Sequence, residues 1–146
     1  MEFIDKNTIK LDKEENELDK FVFDFVKILE KHCEYVIISG YVSILFGRAR
    51  GTEDVDVFIK EISKGRFISL YYELKEEGYW CLNAENADEI YDYLNNNLAV
   101  RFALKNETIP NFEIKFARKK LSLETFKDKL AVVTSLGKIY ISSLER

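Results

Sequence analysis

Apolar residues in this chain follow two rhythms, and the rhythms alternate along its first half. Leu18, Phe21, Val22, Phe25, Val26 and Leu29 recur every three or four positions with charged residues between them. That is the spacing of one buried helix face, and it predicts an amphipathic helix from about Glu14 to His32. Tyr35 to Ile38 is a short unbroken apolar run, read as a buried strand. Ser39-Gly40 then turns the chain into a second helix that Gly47 is placed to end. Arg48 to Glu53 reads as a polar loop and Asp54 to Lys60 as a strand. Ser63 is placed to cap a third helix reaching Gly78, with Phe67, Leu70, Tyr71 and Leu74 inward. Tyr79 to Leu82 reads as a short strand.

The second half is richer in strand signals. Asn86, with Glu89 three residues on, is a capping pattern for a helix through Leu94. Leu98, Val100, Phe102 and Leu104 alternate with Ala99, Arg101 and Ala103. Phe112, Ile114 and Phe116 alternate with Glu113, Lys115 and Ala117. These two strands are expected to pair through a hairpin loop over Lys105 to Asn111. Leu130 to Thr134 and Ile139 to Ile141 are two more short apolar runs, joined near Gly137. The expected fold is α/β in the α+β sense: one mixed sheet flanked by helices. At 146 residues, one domain with one core is expected.

Composition narrows the function classes. Apolar residues make up 47% and aromatics 14%, enough for a packed core rather than a disordered chain. A formal net charge of -4 means that any nucleic-acid contact must come from a local basic patch. The run Arg118-Lys119-Lys120 is one candidate, with a solvated turn as its ordinary reading. Cys33 and Cys81, with His32 as the only histidine, lack zinc-ligand spacing and read as two reduced thiols. Met1 to Lys20 is too charged for a signal peptide, and no apolar run approaches the ~20 residues that span a bilayer. A cytoplasmic protein without a membrane partner is expected.

The candidate chemistry lies between the first two predicted strands. Alternation on a strand puts Asp54 and Asp56 on one face, with Val55 and Val57 on the other. Two such acids about 6 Å apart repel by about 3 kcal/mol at an effective dielectric near 20. A divalent cation removes that repulsion, since carboxylate oxygens are natural Mg²⁺ ligands; the ordinary alternative is a solvated strand face. Ser39 and Gly40 stand where the first amides of a helix are unpartnered, a site suited to phosphate oxygens or simply a helix cap. Arg50 can hold phosphate oxygens, and Thr52 can brace the loop or cap the turn into the strand. Glu113, off the core face of its strand, is the candidate third carboxylate, or else a solvent-facing acid beside Lys115.

The segment from Ser39 to Asp56 resembles the nucleotidyltransferase fold superfamily, closest to its AbiEii-like toxins and related minimal members. The matching residues are Ser39-Gly40, Gly47, and Arg50-Gly51-Thr52-Glu53-Asp54-Val55-Asp56. Ser39 stands where those proteins carry the first glycine of a Gly-Gly or Gly-Ser pair, and Glu113 where aspartate is more usual. The resemblance implies Asp54, Asp56 and Glu113 as ligands of Mg²⁺ (or Mn²⁺). It implies Ser39, Gly40, Arg50 and Thr52 around the triphosphate of an NTP such as ATP. The implied reaction moves a nucleoside monophosphate to a hydroxyl of RNA, tRNA or protein. Such proteins often act as the toxin of a toxin–antitoxin pair, so a partner protein is also implied. The chain lacks the helical Lys and Asp motifs that follow in the toxin-like group. That and the acidic net charge motivate one alternative, a catalytically impaired nucleotide- or partner-binding member of a two-component system. A third class, ranked below it, is a metal-dependent nuclease using the same carboxylates.

Overall fold

The computed structural model of the protein describes residues 2–38, 40–46 and 54–143. The chain begins with β1 (Glu2–Asp5) and β2 (Thr8–Lys10), then α1 (Glu17–Leu29), β3 (Tyr35–Ile38), α2 (Gly40–Leu45) and β4 (Asp54–Ile59). It continues through α3 (Lys64–Glu76), β5 (Tyr79–Cys81), α4 (Ala87–Asn95), β6 (Val100–Leu104) and β7 (Asn111–Phe116). It closes with α5 (Lys120–Lys127), β8 (Leu130–Thr134) and β9 (Gly137–Ile141). All these strands join one mixed sheet in the order β1-β2-β8-β9-β3-β4-β7-β6-β5. The mixed sheet with packed helices is the α+β architecture that the hydrophobic rhythms predict.

Strand alternation sorts the sheet into two unlike faces. Val55, Val57 and Ile59 of β4 and Phe112, Ile114 and Phe116 of β7 are buried in the main core. Phe112 is held between two rings of α1, with centroids 4.6 Å from Phe21 and 3.9 Å from Phe25. Phe116 meets Tyr91 of α4, which also meets Phe67 of α3. Each such ring, fully buried, contributes about 1.5–3 kcal/mol of transfer free energy. The opposite face carries Val36, Ile38 and Phe58, which pack with Ala117 and with Phe126 of α5. Asp54, Asp56, Glu113 and Lys115 belong by alternation to this second face, which α5 covers only in part.

Helix starts follow the polar signals. Asn16 caps α1 in a reciprocal capping box with Asp19, so the helix starts at Glu17 rather than Glu14. Ser63 caps α3 by accepting from the Arg66 amide, and Asn86 caps α4 by accepting from the Glu89 amide. Asp19 is 1% exposed, which a carboxylate tolerates only when well bonded. Its Oδ2 accepts from Lys13 Nζ at 2.8 Å and the Asn16 amide at 3.0 Å. Its Oδ1 accepts from the hydroxyl of Tyr41 at 2.8 Å. Since Tyr41 belongs to α2, this buried carboxylate ties α2 to the start of α1.

Three parts of the fold differ from the sequence reading. The charged N-terminus pairs as a β1–β2 hairpin, and β2 runs parallel to β8, with Ile9 opposite Val132. The expected turn at Arg118-Lys119-Lys120 instead leads straight into α5. That helix escapes a hydrophobic-period reading because its buried positions are Ser122, Thr125 and Phe126, while Leu121 and Leu123 face outward. At Leu98 and Leu104 the expected inward apolar residues are also exposed, and Ala103 is buried in their stead.

Candidate active site

Register brings the candidate residues into rows across the sheet. β3 and β4 are antiparallel with Ile38 opposite Asp56, and β4 and β7 are parallel with Asp56 opposite Glu113. β6 and β7 are antiparallel with Arg101 opposite Glu113. Ile38, Asp56, Glu113 and Arg101 therefore form one row over four adjacent strands, each about 4.8 Å from the next. The neighbouring row pairs Asp54 with Asn111. Gly40 opens α2 two residues past Ile38, at the end of β4 that carries Asp54.

The electrostatics of the row are those of crowded acids with one cation. Burial holds the half-buried Asp56 carboxyl above its ordinary range, and Glu113 and Asp54 push it further up. Arg101 acts in the other direction. Its Nη2 stands 3.8 Å from Glu113 Oε2, in a pair whose side chains are 47% and 28% exposed. An exposed pair at that distance is weak and screened by salt.

Asn111 supplies an independent signal. It is 6% exposed, and its Nδ2 donates to the Thr108 carbonyl at 3.1 Å. Its Oδ1 is buried without a hydrogen-bond partner. An unsatisfied buried acceptor costs about 1–3 kcal/mol, and a donor or cation would relieve it. Asn111 shares the face of Asp54, so the orphan oxygen belongs to the same neighbourhood as the acids.

The donor set fits a hard cation. Asp54, Asp56, Glu113 and Asn111 offer oxygen only, the preference of Mg²⁺. Among the described residues, no three His, Cys, Asp or Glu side chains are gathered into a metal cage. Mg²⁺ is ordinarily held by one or two carboxylates together with substrate phosphates, so a cage is not required.

Ser39, Gly47, Arg50 and Thr52 lie outside the described residues. Of the residues singled out from sequence, the structure brings Asp54, Asp56, Glu113 and Gly40 to one part of the sheet. Arg101 and Asn111 were not singled out. Arg101 was detectable as a charge off the core face of its strand. The sequence pattern puts Asn111 in the hairpin loop, and its place in β7 follows only from pairing with Asp54.

The sequence matches no family model and no curated protein.

Proposed function

We propose that the protein is a Mg²⁺-dependent nucleotidyltransferase, moving a nucleoside monophosphate from an NTP to an acceptor hydroxyl. The observation that carries this reading is the in-register pairing of Asp56 with Glu113, one step along β4 from Asp54. Structural strands gain nothing from two facing carboxylates, whereas phosphoryl chemistry uses them to collect positive charge at a polyanion. Bound at Asp54 and Asp56, Mg²⁺ would supply charge neutralisation at the triphosphate.

The chain's own groups have distinct parts in this scheme. Asp54 and Asp56 would hold that cation on the sheet, facing the α-phosphate. A carboxylate oxygen of Glu113 accepts the proton of the attacking hydroxyl. The hydroxyl oxygen bonds to the α-phosphorus, and the α–β bridging oxygen leaves with pyrophosphate. Strand pairing keeps Glu113 in its row, and Arg101 counters part of the charge of the acids. Gly40, having no side chain, would let the phosphates approach the start of α2.

The test is transfer of label from α-labelled NTPs to cellular RNA or protein, by the parent and by Asp56→Asn. Label transfer is expected to require Mg²⁺ and to be lost in the variant. Undiminished transfer by Asp56→Asn would falsify the assignment. The cation beside Glu113 favours one second reading, nucleotide binding without turnover, because even a weak partner lowers the basicity of the carboxylate that transfer needs. Calorimetry showing tight, Mg²⁺-dependent NTP binding alongside no label transfer would select that reading.

A further inference from the structure

A cleft lies on the same sheet face as the acids, one row along from them. Beyond the Asp56–Glu113 row, the next row pairs Val36, Phe58 and Lys115 across β3, β4 and β7. Between this row and α5 lies a cleft of about 690 Å³, with Ile38, Phe58 and Leu121 giving apolar surface. Lys115, Arg118 and Lys119 give it a cationic side. Arg118 is pinned there: its Nε donates to Glu61 at 2.8 Å, and Nη1 and Nη2 donate to Asn95 at 2.6 and 2.7 Å. Its charge is thus largely answered by Glu61, whereas Lys115 and Lys119 are exposed on the rim. The protein as a whole carries a net charge of -4, so a local basic rim is not a by-product of composition.

We propose that this cleft holds the hydroxyl end of a single-stranded polynucleotide. The apolar floor, with the half-buried ring of Phe58, suits the flat face of a base. Lys115 and Lys119 suit the flanking phosphates. The proposal rests on the nucleotidyltransferase reading for its purpose and names the acceptor class of that site. Gly40 and Asp54 lie toward the start of β4, while Phe58 and the cleft lie toward its end. A triphosphate on the first side and an acceptor on the second would meet at Asp56 and Glu113. An acidic peptide is the competing polyanion, but it has no planar group for the apolar floor.

The experiment is fluorescence anisotropy of 5′-labelled pentauridylate with the full chain, in EDTA and without NTP. Two phosphate contacts predict affinity falling about sevenfold between 50 and 200 mM KCl. The double variant Lys115→Gln, Lys119→Gln is expected to bind at least tenfold more weakly at 50 mM salt and to lose most of that salt dependence. Both lysines are exposed, and an unchanged thermal melt shows that the variant is folded. Equal binding by parent and variant overturns the proposal. So does equal competition by pentaglutamate, or a variant that loses ATP binding while keeping pentauridylate. Pentauridylate binding as expected, with no label transferred from any NTP, sinks the transferase reading and leaves the cleft assigned. RNA labelling by the double variant at an unchanged KM for RNA sinks the cleft and leaves the transferase reading.

Discussion

Replacing Asp56 by Asn should stabilise the protein in EDTA while abolishing the proposed nucleotidyl transfer. Asn keeps the volume of Asp and removes the charge that faces Glu113 across β4 and β7. Two carboxylates about 6 Å apart repel by about 3 kcal/mol at an effective dielectric of 20, and by about 0.7 kcal/mol in water. Both side chains are partly open to solvent and Arg101 answers some of the charge, so about 1 kcal/mol is the reasonable net gain. For a chain of 146 residues that raises Tm by about 2–4 °C. The pH dependence has a definite sign. Burial and its acidic neighbours raise Asp56 in the fold, so the native state holds this proton more tightly than the unfolded chain. Stability therefore falls as pH climbs from about 4, the ordinary aspartate range, through the raised value. The gain from Asn should be full at pH 7.5 and nearly absent at pH 3.5. Thermal melts in EDTA at both pH values measure it, and adding Mg²⁺ should then raise the Tm of the parent more than that of the variant. A variant that melts below the parent at pH 7.5, or one whose gain is the same at both pH values, refutes the reasoning.

Phe112→Ala removes the ring held between Phe21 and Phe25 at a fully buried position, and should cost about 3–5 kcal/mol by urea titration. A loss below 1 kcal/mol would mean that this stack is not the centre of the core. Tyr41→Phe deletes one hydrogen bond to the buried Asp19 carboxylate while leaving those from Lys13 and the Asn16 amide. It should cost about 1.5–3 kcal/mol, and a matching change in the amide exchange of α2 would show that the bond anchors that helix. Burial pushes the Cys33 thiol up to about 12, so iodoacetamide at pH 8 should alkylate it far more slowly than free cysteine, as read by intact mass over time.

The sequence made most of the fold legible because its apolar spacing is strong wherever a large side chain is buried. Phe21, Phe25, Phe67 and Leu70 define helices, and Val55, Val57, Phe112 and Ile114 define strands, without reference to anything distant. Alternation also puts Asp54 and Asp56 on one face before any pairing is known. What stayed hidden depends on partners far along the chain. α5 buries Ser122 and Thr125 against the sheet, and hydroxyls at helical spacing give no hydrophobic signal. β2 is three residues long and is recognisable only by its parallel pairing with β8. The row joining Asp56, Glu113 and Arg101 is likewise a matter of register, which strand patterns fix modulo two but not absolutely.

That register constrains how such a site can change over evolutionary time. β4 presents Asp54 and Asp56, and β7 presents Asn111, Glu113 and Lys115, on one side, with tightly packed apolar residues on the other. Sliding one strand by a single position would turn Glu113 and Lys115 toward the rings of α1 and expose Phe112. The acids can therefore be relocated only by two residues at a time, or by substitution in place. A single-residue insertion or deletion in either strand is expected to destroy folding and chemistry together, whereas conversion of Asp56 or Glu113 to a neutral residue leaves the scaffold intact. If the proposed transfer is right, variants that lose it should thus keep the strand lengths and differ at the acids, which makes a well-folded, silent form the easiest one for this architecture to produce.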